Sequence, residues 1–394
     1  MSSPTPPPDM PDVSIEELRA SSASSQTSPL LYLALLLPFL SLLIPYSISP
    51  EGAPKADGIG PWGASRLETW TYILTTETRS ILVRPGMYRG AEKGEGYAFV
   101  LVARSDRPKT HYTQYPLASL TSLDGVSEWA FGMGEHCRFS NRGFILDADS
   151  SSQLDGVGLQ AQVNLADPAP FPGSIFHPTI MGPWSYFPSD QSHALIAGTS
   201  RVSGWVWGRD DNDGNSSLSE ESTLSLTKTW GTSFPKHGLS LTLSHIESLP
   251  GAFLMLEYTK DVTSGWKIFK SPCISILSIP GRALINLSSY TLSSAQWRVN
   301  EGGGGDRTLQ LTSMTKSTQL NITFPSLNQF SSISLFEGEG SKGVRSEDPR
   351  IYAHVPIHIS LHQAGYSPLD IEASRGLFEV IGNGPGNLFP PTPS

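Results

Sequence analysis

Glu68-Thr69-Trp70-Thr71-Tyr72-Ile73-Leu74 places β-branched and aromatic residues in a short run with polar side chains between them. Stiff branched and ring side chains pack well on a pleated surface, so the run favours a strand. Runs of the same texture recur at 80–83, 97–103, 192–198, 203–207, 239–245, 252–258, 267–277, 307–312, 318–324 and 355–361. Gly, Pro, Asn and Asp clusters separate them, which is the spacing of an all-β sandwich or barrel. The 37 glycines and 32 prolines weaken any helical reading, since both break helix interiors. One short helix is expected over residues 368–376. About 320 residues of β structure exceed one ordinary β domain. Two tandem β-barrel or sandwich units are therefore expected, at 61–192 and 193–380.

Residues 1–29 are rich in Ser and Pro and read as a disordered tail. Residues 30–46 (LLYLALLLPFLSLLIPY) then carry no charge. As a helix this run would reach roughly 25 Å, the short end of a membrane span. A cleaved signal peptide is the rival. The acidic residues before the run (Asp9, Asp12, Glu16, Glu17) and Pro50 after it argue against cleavage. Residues 30–48 are read as an uncleaved single-pass membrane anchor. Asn215, Asn286 and Asn321 each open an N-x-S/T sequon, so they are candidate glycosylation sites. Together with the anchor they point to a β body in the lumen of the endoplasmic reticulum or secretory system.

The net charge of −9, with no Lys/Arg cluster, argues against a nucleic-acid partner. Two cysteines, Cys137 and Cys273, cannot build a four-thiolate zinc site. They either form one bridge or stay as buried thiols. No G-x-S-x-G elbow, H-E-x-x-H or Walker loop occurs. Asp210-Asp211-Asn212-Asp213-Gly214 resembles part of a calcium loop, but Arg209 would occupy the first ligand position. It reads as a solvated hairpin tip. His354, His358 and His362 are spaced by four, yet Val355-Pro356-Ile357 argues for a strand there. No metal and no cofactor are expected.

Four fragments carry further information in their order. They are Leu67-Glu68-Thr69-Trp70-Thr71-Tyr72, then Val83-Arg84-Pro85-Gly86, then Met181-Gly182-Pro183-Trp184-Ser185-Tyr186-Phe187-Pro188 with His193 after it. The last is Thr227-Lys228-Thr229-Trp230-Gly231-Thr232-Ser233-Phe234-Pro235. In this order they resemble the tocopherol cyclase family, including its cyclase-like members. That family has a Phe-Glu-Gly-Trp-Tyr-Phe opening, a Pro-Gly after the second strand, and a Gly-Pro-Phe-Ser-Tyr-Leu-Pro segment with a nearby His-Gly. A Glu-Lys-Asn/Asp-Trp-Gly-x-x-Phe-Pro signature follows. The resemblance implies two tandem lipocalin-like β units. It also implies closure of a chroman ring on a prenylated phenol or related isoprenoid, an intramolecular isomerisation. The sequence departs from the pattern at Thr69 and Thr71 in the opening. It departs again at Thr227 and Thr229, where the signature has Glu and Asn/Asp.

Such chemistry needs a proton donor in a dry site, π faces around a tertiary cation and an apolar cavity for the isoprenoid tail. Glu68 is the first candidate acid. It shares a strand face with Trp70 and Tyr72 by period two. His193 is the second, on a run that turns apolar. Trp70, Tyr72, Trp184, Tyr186, Trp205, Trp207 and Trp230 are the candidate aromatic lining, and Lys228 a candidate anchor for a polar head group. The changes at Thr227 and Thr229 support an alternative: a non-catalytic, membrane-tethered protein that binds a lipid or prenylquinone.

Overall fold

The computed structural model describes residues 67–381 apart from 91–95, 108–109, 124–129, 148–158, 167–170, 172–178, 187–188, 209–215, 233–236, 261, 265–267, 300–305, 328–329, 335–349, 354 and 374. The tail, the proposed anchor and Asn215 therefore lie outside the described residues. Among the described residues no helix is long and apolar enough to cross a membrane. The described residues make one compact unit.

The first sheet is built from β1 (Leu67–Thr75), β2 (Ser80–Arg89), β3 (Gly96–Arg104), β4 (His111–Pro116), β5 (Leu120–Ser122), β6 (Ala130–Met133), β7 (Cys137–Ser140), β8 (Gly143–Asp147), β9 (Leu159–Leu165), β10 (Gln191–Gly208), the short β11 (Ser216–Ser217) and β12 (Thr223–Gly231). Its order is β4-β3-β2-β1-β12-β10-β9-β8-β7-β6-β5, with β11 on β10. The two end strands, β4 and β5, are joined by a single 3-10 turn at Leu117–Ser119. The sheet thus curls into a nearly closed antiparallel barrel. β10 is 18 residues long and serves two neighbours: its first part pairs with β12 and its second with β9, across register shifts near Ala197. It begins where the sequence reading divides the two units, and it belongs to the first barrel.

Alternation sorts the side chains of β1. Trp70, Tyr72 and Leu74 point into the barrel with Val83, Val100, Phe131, Phe139, Phe144 and Leu226. Thr69, Thr71, Ile73 and Thr75 take the other face, yet every residue of β1 is buried. A strand buried on both faces must be covered from outside, and the second unit supplies the cover. Gly231 closes β12 where a Cβ would run into the carbonyl oxygen of Asp190. This close approach of backbones accounts for the Trp-Gly pair of the fourth fragment.

The second unit contains β13 (His237–His245), β14 (Phe253–Lys260), β15 (Thr263–Ser264), β16 (Phe269–Lys270), β17 (Cys273–Ser278), β18 (Ile285–Ser288), β19 (Ser294–Val299), β20 (Arg307–Thr312), β21 (Thr318–Phe324), β22 (Ile333–Ser334), β23 (Arg350–Ala353), β24 (Ile357–Gln363), β25 (Leu369–Ala373) and β26 (Arg375–Ile381). Seven strands form a sheet in the order β18-β17-β14-β13-β26-β23-β22, and five form another, β19-β20-β21-β24-β25. One apolar core lies between them, with Leu241, Leu254, Leu256, Leu309, Ile322, Ile359 and Phe378 among its members. The fold is thus mainly β, as the sequence pattern implies. The helix expected over 368–376 is instead β25 and the start of β26, two strands that belong to different sheets. Ile371 and Ala373 are buried while Asp370 and Glu372 are exposed, a period of two that pairs with β24. Cys137 and Cys273 are both buried, one in each core, and no disulfide joins them.

The outer face of the first barrel packs on the seven-stranded sheet. Leu195 meets Phe253, Met255, Ile274 and Ile276. Ile73, Leu82 and Leu101 meet Ile351 and Leu377. This seam between the two units holds most of the polar chemistry described next.

Candidate functional site

Two clusters of ionisable groups among the described residues are largely shielded from solvent. The first lies inside the barrel, near the end where β1 begins. Pairing sets Glu68 beside Trp230 and Trp70 beside Lys228 on neighbouring strands. The Lys228 ammonium is 3.1 Å from the Glu68 carboxylate, with both side chains under a tenth exposed. It also sits 4.8 Å from the Trp70 ring and 5.8 Å from the Trp230 ring. Four of the sequence-predicted residues thus meet: Glu68, Trp70, Lys228 and Trp230. Trp70 is tightly packed, its ring 4.7 Å from Phe131. Tyr72 lies further along the same face and donates its hydroxyl to the Ser140 carbonyl at 2.7 Å. Burial pushes the Tyr72 phenol well above its usual range. This cluster has the geometry of a buried ionic clasp in an aromatic core.

The second cluster lies in the seam. On the barrel side, β-sheet register aligns Gly86, Thr69, Thr229 and His193 in one row across β2, β1, β12 and β10. The next row holds Thr71, Thr227 and Leu195. On the facing sheet, Glu379, Ser240, Glu257 and Ile274 form a row across β26, β13, β14 and β17. Arg84 bridges the two sides. Its Nη1 donates to Glu379 Oε1 at 2.9 Å and its Nη2 to Oε2 at 2.6 Å. Its Nε donates to Thr71 Oγ1 at 2.9 Å. Burial would lower the guanidinium, but the Glu379 carboxylate more than offsets this and raises it. Such a fork-to-fork pair is the strong form of an ion pair.

Glu257 is half-buried beside that pair and accepts a hydrogen bond from Ser240 Oγ at 2.8 Å. Burial, aided by the Glu379 charge, pushes its carboxyl up to about 7, against the opposing pulls of Ser240 and Arg84. His193 is buried on the barrel side. Its Nδ1 lies 3.2 Å from Thr229 Oγ1, and its backbone N–H donates to Met181 Sδ. Burial holds the imidazole down at about 4, so it is neutral near pH 7. The seam therefore carries a carboxyl that resists ionisation and an imidazole that resists protonation.

The remaining predicted residues fall elsewhere. Trp184, in the 3-10 segment Gly182–Tyr186, packs edge-on to Phe269 at 5.1 Å in the seam's apolar cluster. Tyr186 has its backbone in that segment, and its side chain lies outside the described residues. Trp205 and Trp207 are half-buried on the outer face of β10, opposite Val206, and join neither cluster. Asn286 donates its amide to the Ile180 carbonyl at 3.2 Å. Asn321 stands half-exposed on β21 and accepts from Gln319. Among the described residues no group of three or more His, Cys, Asp or Glu side chains could hold a metal.

Sequence reasoning missed Arg84, Ser240, Glu257 and Glu379 as site residues. A signal was present. Phe253-Leu254-Met255-Leu256-Glu257 is apolar at both parities, so both strand faces are covered and the acid at its end is half-buried with them. Leu377-Phe378-Glu379-Val380 repeats the pattern.

No family model and no curated protein matches the chain. Solved structures do match its fold. Kievitone hydratase from Nectria haematococca is 9% identical, with 86% of this chain and 92% of that chain covered at a TM-score of 0.43. CghA reaches a TM-score of 0.51 at 10% identity, with 85% of this chain and 95% of that chain covered. CghA with Sch210972 gives the same score and identity, covering 84% of this chain and 94% of that chain. At a tenth of identical residues, the described body shares with CghA a fold that runs through nearly the whole of both chains.

Proposed function

We propose that this chain is a cyclase-like isomerase. In this reading it closes a chroman-type ring on a prenylated phenol or a related isoprenoid, at the seam between its two β units. One observation carries the reading: facing sheets present a carboxyl raised to about 7 and an imidazole lowered to about 4. The Glu257 carboxyl would give its proton to the less substituted carbon of a trisubstituted alkene. The tertiary cation so formed would be captured by the phenol oxygen, forming the C–O ring bond. His193 would take the phenolic proton, and solvent exchange would return both groups to their starting states. Atoms and charge balance without a cofactor or a metal. Phe253, Trp184, Phe269 and Tyr290 supply apolar and π surface in the same seam. The membrane anchor proposed for 30–48 would keep the body close to a lipophilic substrate.

A second reading is a membrane-tethered carrier of a lipid or prenylquinone. Thr227 and Thr229 favour it, because hydroxyls stand in the seam where the resembled signature has Glu and Asn or Asp. One experiment separates the two. The full chain in lipid nanodiscs is incubated with a prenylated hydroquinone, and chroman formation is followed by chromatography with mass detection. The cyclase reading expects product from the wild type. It expects Glu257→Gln to lose at least about 100-fold in kcat with little change in KM. Bound but chemically unchanged hydroquinone would establish the carrier. Full turnover by Glu257→Gln would remove Glu257 from the role.

A further inference from the structure

Glu257 has a second carboxylate close by, and the two share a single guanidinium unequally. All three nitrogens of Arg84 are engaged away from Glu257: two on Glu379 and one on Thr71. Among the described residues, Glu257 receives a hydrogen bond only from the neutral Ser240 hydroxyl. The groups around it can be named element by element. β2 offers Arg84, β26 offers Glu379, β13 offers Ser240, and β17 offers Ile274 and Cys273. The Cys273 thiol is held up at about 12 by burial and the nearby carboxyl, so it adds no charge near neutral pH. Beside burial, the charge state of Glu257 thus depends on which carboxylate holds Arg84.

We infer that Glu379 is a positioning residue for Glu257: by clamping Arg84 in a bidentate pair it keeps the cation off Glu257 and faces it with a fixed negative charge, so that Glu257 retains its proton. Glu379 acts through Arg84 and touches no reacting atom. Register explains why the pairing takes this form. Glu379 and Glu257 flank Ser240 on the two neighbouring strands of one row. Ser240 hydrogen-bonds Glu257, while the fork geometry of Glu379 matches the guanidinium. The catalytic meaning of this inference rests on Glu257 being the proton donor. Its test does not, because the titration is read without substrate.

The experiment uses the full chain in lipid nanodiscs with carboxyl-labelled glutamate. The Glu257 resonance is assigned by its loss in Glu257→Gln and followed by carbon NMR against pH. In the wild type, a midpoint near neutrality is expected. In Glu379→Gln, Arg84 is released towards Glu257 and the midpoint is expected to fall by at least about one pH unit. Arg84→Met removes the cation, and the midpoint is expected to rise. Removing one member of a buried pair can prevent folding, whereas removing both is tolerated. The double variant Arg84→Met/Glu379→Gln therefore provides a control, expected to return the midpoint towards the wild-type value. A residue that only holds the sheets together would alter thermal stability and leave the midpoint in place. An unchanged midpoint in either single variant, or a fall in Glu379→Gln that the double variant does not reverse, overturns the inference. Loss of turnover with the expected midpoints would instead fault the assignment of Glu257 as the acid.

Discussion

Glu257 and His193 pay opposite electrostatic penalties, and this gives the protein a pH signature. The sign follows from linkage. His193 is lowered from its usual value to about 4, so the folded state resists protonation there. It destabilises the fold as pH falls from about 6.5 to 4. Glu257 is raised to about 7, so the folded state resists its ionisation. It destabilises the fold as pH rises from about 4.5 to 7. In the wild type the two slopes oppose each other and the stability profile is flattened. In Glu257→Gln only the histidine slope remains, and stability is expected to rise with pH between about 4 and 6.5. In His193→Gln stability is expected to fall between about 4.5 and 7. Each change is on the order of 3 kcal/mol, and urea unfolding at a series of pH values reads it. The Glu68–Lys228 pair is a second case at this scale. Lys228→Met leaves a carboxylate buried among aromatic rings, and a loss of about 3–5 kcal/mol is expected from the same unfolding measurement.

At the scale of the element, β1, β12 and β14 show what the sequence does and does not reveal. The strand character of β1 is plain from its branched and aromatic residues, and so is the face shared by Glu68, Trp70 and Tyr72. Their chemical neighbours are not plain. Lys228 comes from a strand about 160 residues away, and only pairing brings its ammonium onto Glu68. The seam residues were harder still. An acid in an apolar run signals burial, but the run does not say that a guanidinium on another sheet awaits it. Residues 368–376 were misread because Pro368 and Gly376 look like helix punctuation, whereas the period-two burial of β25 is decided by β24. Gly231 provides an element-level test. Its Cβ would collide with backbone, which cannot give way as a side chain can. Gly231→Ala is expected to cost on the order of 2 kcal/mol or more, and hydrogen exchange should show the loss first at the β10–β12 pairing.

On the scale of the whole molecule, the seam makes one body of two β units. Its apolar clusters and the Arg84–Glu379 bridge bury residues that either unit alone would expose. A single cooperative transition is therefore expected in calorimetry of the described body. Phe253→Ala, which empties the seam, should lower stability by about 3–5 kcal/mol and split that transition in two. The topology has a further consequence, for the order in which the protein is made. β1 pairs with β12, and β13 with β26, so each unit is completed by a strand far along the chain from its first. On the ribosome, the first barrel must wait with β1 incompletely paired until residue 231 has emerged. The second sheet must wait until β26 arrives. Glu379 rides on β26, so the seam site is assembled only once that strand has emerged, and a nascent chain stopped short of it would carry Arg84 and Glu257 without the residue that keeps them apart.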